Sequence, residues 1–277
     1  MKNKKNTCAR RGGMLTKMSY FKGYYFKHQN HNQTISFIVG KSSCCGEFIQ
    51  VITAHKAYYF KGLGDCFFTD KGVIIDIGNI RGKIRYGKLT PLKYDIMGVF
   101  KFFEPLMECS HSIISMRHKL SGWVSIDGEI IDLNGGIGYI EGDCGCSFPK
   151  SYLWMQCNFK KNCSVSLSVA DIPFMGFNFR GCICVVYYKG KEYRLATYCG
   201  VKVLLCNPRQ VILQQGEYLL IADISADEGQ RLAAPQNGKM SRAIRECIAC
   251  PVRLRFYKAE KLVFDESSAM GSFEWVG

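Results

Sequence analysis

The sequence predicts a mainly β fold, with two antiparallel six-stranded β-barrels followed by a β-rich C-terminal extension. Short runs of β-branched and aromatic residues recur along nearly the whole chain and are broken by glycines, which is strand punctuation rather than helical periodicity. The 277 residues contain 28 Gly and only 7 Pro, and 13% are aromatic. Asp127-Gly128 stands between two apolar runs. That dipeptide supplies the positive φ angles of a two-residue hairpin turn.

Taken in order, residues 1–30 read as a basic, polar N-terminal arm with a short aromatic stretch from Tyr20 to Phe26. The first barrel, residues 31–107, draws strands from Thr34–Val39, Phe48–Ala54, Cys66–Thr69, Gly72–Ile77, Gly82–Tyr86 and Ile96–Phe103. The second, residues 108–180, draws them from Ser112–Arg117, Trp123–Ile126, Glu129–Leu133, Gly138–Ile140, Tyr152–Cys157 and Ser164–Val169. Residues 181–277 form the extension. It has strands at Cys182–Tyr188, Tyr193–Tyr198, Val201–Leu205, Gln210–Leu213, Tyr218–Ile224, Val252–Tyr257 and Lys261–Phe264. Between them Ser225–Lys239 reads as a polar loop, and Ser241–Ala249 as a short helix capped by Ser241. No internal repeat is visible.

Composition limits the function classes. With 47% hydrophobic residues the chain can bury a sizeable core. It contains no run of eighteen apolar residues, so no membrane-spanning helix is expected. The start of the chain is basic but lacks the apolar stretch of a secretory signal. The 15 cysteines are therefore expected as free thiols. Cys182, Cys184, Cys247 and Cys250 could be read as a zinc set, with buried apolar thiols as the alternative, and neither a metal nor a cofactor is assigned. The net charge of +14 suggests weak, salt-sensitive RNA binding through clusters at 2–11, 81–88 and 239–261.

Three segments carry candidate chemistry. Glu141-Gly142-Asp143-Cys144-Gly145-Cys146 places a cysteine among small residues, where the backbone N–H groups of Gly142, Asp143 and Cys144 could form an oxyanion hole. Val51-Ile52-Thr53-Ala54-His55 ends an apolar run on a histidine, a candidate general base. Tyr94-Asp95-Ile96-Met97 offers an orienting carboxylate, with Asp76 as a rival. The order is His55, Asp95, Cys144, with intervals of 40 and 49 residues.

This set resembles the chymotrypsin-like 3C and 3C-like cysteine proteases of positive-strand RNA viruses, most of all the nidovirus main proteases of the ronivirus type. The resemblance covers roughly residues 30 to 180. It implies a chymotrypsin-like pair of barrels and thiolate attack by Cys144 with His55 and Asp95 in support. It also implies a viral polyprotein substrate and a place in the host cytoplasm. No histidine follows His118, so the family's Gly-x-His specificity element is absent. The substrate wall is then either Gln156 or the stretch holding Ser166 and Ser168, with Lys160 or Lys161 nearby. The other reading is a basic RNA-binding module on an inactive protease-like fold.

Overall fold

The computed structural model describes residues 20–30, 33–174 and 177–277. The first half runs β1 (Phe21–Asn30), β2 (Gln33–Ser42), β3 (Gly46–Thr53), β4 (Ala57–Lys61), β5 (Phe67–Thr69), β6 (Gly72–Ile77), β7 (Ile80–Tyr86), a 3-10 segment (Gly98–Leu106), β8 (Cys109–Ile126), β9 (Glu129–Asp132) and β10 (Ile137–Gly145). The second runs β11 (Tyr152–Phe159), β12 (Cys163–Phe174), β13 (Phe177–Tyr188), β14 (Lys191–Ala196), β15 (Lys202–Asn207), β16 (Gln210–Gln215), β17 (Tyr218–Ile224), β18 (Gln230–Gln236), β19 (Lys239–Lys258) and β20 (Lys261–Val276).

These strands form two antiparallel ten-stranded sheets. The first has the order β4-β3-β2-β1-β10-β8-β7-β6-β5 with β9 on β8, and the second β14-β13-β12-β11-β20-β19-β17-β16-β15 with β18 on β19. The second order nearly repeats the first, so the fold is internally duplicated although the sequence shows no repeat.

The mainly β expectation holds, but the two six-stranded barrels do not. Among the described residues each sheet ends in strands not paired to each other, β4 and β5 in the first and β14 and β15 in the second. Sheet one spans residues 21–145 and sheet two 152–276. The boundary expected at 180 falls inside β13. Of the expected arm, residues 1–19 lie outside the described residues, and the remainder becomes β1.

Each sheet buries both faces, so alternate side chains of one strand enter different cores. Within sheet one Phe26, Phe37, Val51, Ile84 and Val124 share a core. Within sheet two Leu153, Met155, Val165, Val186 and Phe256 share another. A third lies between the sheets, with Tyr25, Ile113, Met116 and Tyr139 from the first meeting Tyr152, Trp154, Val185 and Ile248 from the second.

Several local differences have plain causes. Ile96–Phe103, expected as a strand, is a bend and the start of the 3-10 segment. Gly98 makes that turn with φ +55°, and a side chain there would run into the Tyr198 ring. The polar loop at 225–239 contains β18, and the expected helix at 241–249 is part of the twenty-residue β19. Asn237 (φ 50°) and Gly238 (φ 70°) turn β18 into β19 in the same way that Asp127 (φ 54°) and Gly128 (φ 88°) turn β8 into β9.

Two buried histidines flank Tyr86 in sheet one. His28 Nε2 lies 2.7 Å from the Tyr86 hydroxyl, and the His118 ring centroid lies 4.4 Å from that of Tyr86. Burial pushes His118 down to about 4, and burial together with the charge of His118 pushes His28 down to about 3. Both values lie below the unfolded value of about 6.5, so the unfolded chain takes up protons first as pH falls. Stability from this pair is present above pH about 6.5 and is lost toward pH 4. We expect a loss of about 2 kcal/mol per histidine between pH 7 and 5. Denaturant titrations at the two pH values check this, and His118→Gln should remove about half of the pair's contribution.

Candidate active site

A cavity of about 170 Å³ opens between the two sheets. Its wall is largely aromatic and aliphatic, with Phe21, Tyr25, Phe48, Phe100, Phe148 and Trp154 prominent. The polar groups facing it include Gln50 from β3, His111 from β8, Glu141 and Asp143 from β10, Tyr152 from β11, Ser168 from β12 and Glu274 from β20.

Strand register explains how they meet. Asp143 is directly opposite His111, Glu141 opposite Tyr25, and Trp154 opposite Glu274. Tyr139, Glu141 and Asp143 alternate along β10, so all three point to the face that packs on sheet two. His111 Nδ1 is 2.7 Å from Asp143 Oδ1, and Nε2 is 3.6 Å from Glu141 Oε2. Glu141 Oε2 accepts from the Tyr139 hydroxyl at 2.5 Å and from Trp154 Nε1 at 3.3 Å. Tyr152 donates to Glu274 Oε2 at 2.6 Å. Behind them the Tyr25 hydroxyl donates to Glu246 Oε1 at 2.5 Å, and Glu246 is paired with Glu274 in the β19–β20 ladder.

Burial sets the electrostatics. It raises the Glu141 carboxyl to about 8, against the pull of His111. It raises Glu274 to about 7, and Glu246 well above the usual carboxylate range, helped there by the charge of Glu274. For His111, burial alone would favour the neutral ring, but Asp143 and Glu141 outweigh it and hold the imidazole up to about 9. The result is two carboxyls poised near neutrality beside a charged histidine in an apolar pocket.

His111, Glu141 and Asp143 are also the single tight group of metal-ligand types among the described residues. They do not suit a cation well. Tyr139 and Trp154 both direct hydrogens at Glu141 Oε2, the oxygen nearest His111, and Asp143 already engages the other ring nitrogen. The four cysteines considered for zinc lie in the sheet-two core on β13 and β19, as buried apolar thiols.

The predicted catalytic residues are dispersed. His55 is exposed in the turn after β3, its backbone N–H donating to Thr53 Oγ1. Asp95 accepts the Met97 N–H and pairs with Lys101. Cys144 is opposite Lys22, Lys22 opposite Lys41, and Lys41 opposite Glu47. Thr53 lies six residues beyond Glu47 on β3, roughly 20 Å at the rise of an extended strand, so His55 and Cys144 sit at opposite ends of sheet one. The Cys144 thiol points away from the cavity toward Glu104 at 3.7 Å, and burial followed by that carboxylate pushes it up to about 11, the reverse of an activated thiolate. Gly142, Asp143 and Cys144 belong to a strand paired on both sides, so their N–H groups serve the ladders instead of converging on one point. The rival Asp76 pairs with Arg81 at the surface.

Of the predicted substrate contacts, Ser168 does line the cavity. Ser166 Oγ lies 3.1 Å from the Tyr139 hydroxyl, and Gln156 is fully buried with both amide atoms unpartnered. The sequence reading missed His111, Glu141, Glu274, Tyr25, Tyr152 and Trp154. For Glu141 the signal was parity, since it and Asp143 fall on the same alternation as Tyr139.

The tocopherol cyclase-like family matches residues 79–277, and the chain belongs to that family. A probable chloroplastic tocopherol cyclase of Oryza sativa subsp. japonica is 31% identical over 111 residues, covering 38% of this chain and 23% of that protein. A chloroplastic tocopherol cyclase of Zea mays is 38% identical over 77 residues, covering 27% of this chain and 15% of that protein. The matched stretch is thus less than a quarter of either relative's length. Among solved structures, CghA with Sch210972 superposes with a TM-score of 0.63 at 7% identity, covering 93% of this chain and 88% of that one. Kievitone hydratase from Nectria haematococca gives 0.54 at 10% identity with the same coverage. At these identities the shared property is the fold.

Family membership overturns the viral protease reading, and with it the polyprotein substrate and the host cytoplasm. The alternative of an RNA-binding module required a protease-like fold, and it falls with that fold. No helix among the described residues is long and apolar enough to cross a membrane.

Replacing Asp143 by Asn tests the electrostatic arrangement. It removes the leading charge that holds His111 up, so burial should prevail and the imidazole pKa should fall from about 9 toward or below its ordinary value. An NMR titration of the His111 ring decides it, and an unmoved titration would refute the assignment.

Proposed function

We propose that this protein is a cyclase that closes an oxygen-containing ring on a prenylated aromatic alcohol inside the inter-sheet cavity. The reading is supported by the family the chain belongs to and by one structural observation. That observation is a pair of carboxyls, Glu141 and Glu274, held near neutral pKa in an aromatic-lined pocket.

Tocopherol is a chromanol, and forming such a ring from an open precursor adds a phenolic O–H across a carbon–carbon double bond. A proton joins one alkene carbon, the phenolic oxygen bonds to the other, and the phenol proton leaves to a base. The step is an isomerisation, so atoms and electrons balance without a co-reactant.

The pocket supplies the matching parts. Glu141 is mostly protonated at neutral pH and donates the proton, while Tyr139 and Trp154 stabilise the carboxylate left behind. Glu274, with the lower pKa, accepts the phenol proton. The rings of Tyr25, Phe100, Phe148 and Trp154 present π faces to the developing cation and exclude water that would capture it. The charged His111–Asp143 pair fixes the dipole at the edge of the site.

Glu141→Gln keeps the size of the side chain and a carbonyl to accept from Tyr139 and Trp154, but removes the acidic proton. Conversion of a prenylated hydroquinone to its chroman should fall at least about a hundredfold in kcat with little change in KM. In deuterated water the wild-type product should carry one deuterium on the alkene-derived carbon. Full turnover by both Glu141→Gln and Glu274→Gln, or a product without deuterium, would rule the mechanism out.

A further inference from the structure

The connection between β7 and β8 is a strap, residues 87–108, that crosses from sheet one to sheet two. Its base is pinned to sheet two. Arg194 donates to the carbonyls of Tyr94 and Asp95 at 2.8 and 2.6 Å, and the Tyr198 hydroxyl donates to the carbonyl of Ile96 at 2.6 Å. Met97, Phe100 and Met107 point inward and line the cavity. The same few residues present a second apolar set outward, where Phe102 is 85% exposed, Tyr94 76% and Val99 54%. A strap that is apolar on both sides has no structural need for its outer side. Water is a poor solvent for it, and an exposed apolar patch on the outer side of a cavity wall marks an interaction surface.

Charge points to the partner. The acids of the strap are partly buried, with Asp95 bound to Met97 N–H and Lys101, and Glu104 taken up by the Cys144 thiol. Its lysines, Lys88, Lys93 and Lys101, are exposed, and the chain as a whole carries +14. Aromatic side chains flanked by lysines on a basic protein match the interfacial zone of an anionic bilayer. There the rings lie among the upper acyl chains and the ammonium groups reach the headgroups.

We propose that the strap is the face by which this protein docks on an anionic lipid bilayer, with Phe102 and Val99 inserted and the cavity mouth turned to the membrane. The inference stands on the strap alone and does not require the cavity to perform a cyclisation. It also gives a route by which a lipophilic molecule could pass from the bilayer to the cavity past Phe100 and Met107 without crossing water.

Flotation of the full chain with vesicles tests it, using phosphatidylcholine alone and phosphatidylcholine mixed with phosphatidylglycerol. The wild type should float with the mixed vesicles. Phe102→Asp should weaken that binding about tenfold or more while circular dichroism is unchanged. Leu262→Asp, at an exposed leucine near the start of β20, should bind as the wild type does. No flotation of the wild type would overturn the proposal. Equal flotation of wild type and Phe102→Asp would overturn it too, leaving only attraction between a basic protein and an anionic surface. Neither result bears on the Glu141→Gln assay, so docking and chemistry fail separately.

Discussion

The structure depends on side-chain hydrogen bonds that cross between the two sheets, several of them at buried carboxyls. Tyr25 reaches Ser36 in its own sheet and Glu246 and Ser272 in the other. Tyr139 reaches Glu141 beside it and Ser166 across the gap, and Trp154 of sheet two donates back to Glu141. Burying a carboxyl without partners is costly, and these donors make it tolerable. Their nature matters for chemistry. An arginine would hold each carboxyl ionised and well below its usual pKa, whereas a neutral tyrosine leaves burial as the leading influence. Burial is thus the reason the acids stay protonated near neutrality, and the tyrosine hydrogen bonds, which favour the ionised form, offset only part of it.

The location of the cavity follows from the chain path. Sheet one finishes on β10 and sheet two begins on β11, so residues 146–151 carry the chain across the seam, and Phe148 and Pro149 of that link form part of the wall. Strand β20 returns the other end of the chain to lie beside β11, bringing Glu274 to the same place. Groups distant in sequence, His111, Glu141 and Glu274, converge because three central strands meet at one crossing.

Much of the fold was legible. Runs of β-branched and aromatic residues located most strands, and Asp127-Gly128 located a hairpin that is present. The misreadings share a cause: polar residues inside a core. β1 looked like a surface arm because it carries Lys27, His28 and Gln29, all of which are buried. β19 looked helical at 241–249 because Ser241 reads as a helix cap before a mixed polar and apolar stretch, yet Glu246 within that stretch is fully buried. The candidate site was legible only in part. Glu141–Cys146 was read as a nucleophile turn, because the glycines and the cysteine drew attention to one face of a strand while Glu141 and Asp143 occupy the other. A period of two turns that single-residue difference into the opposite side of the sheet. The duplicated topology was invisible because a fold of this kind constrains alternation and turns, not residue identity.

The buried acids also bear on the basic surface. Formal charge counts every carboxyl as ionised, but burial raises Glu141 to about 8, Glu274 to about 7 and Glu246 well above the usual range. At neutral pH part of that negative charge is absent in the folded protein. His111, held up to about 9, adds a positive charge that the formal count of +14 omits. Lys27, which burial pushes down to about 8, offsets a small part of this. The folded molecule is therefore more basic than its sequence states. Its remaining acids are partly withdrawn from the strap, while Lys88, Lys93 and Lys101 face solvent there. Carboxyls held neutral in the interior and a positive exterior around an apolar strap are two consequences of the same placement of charge.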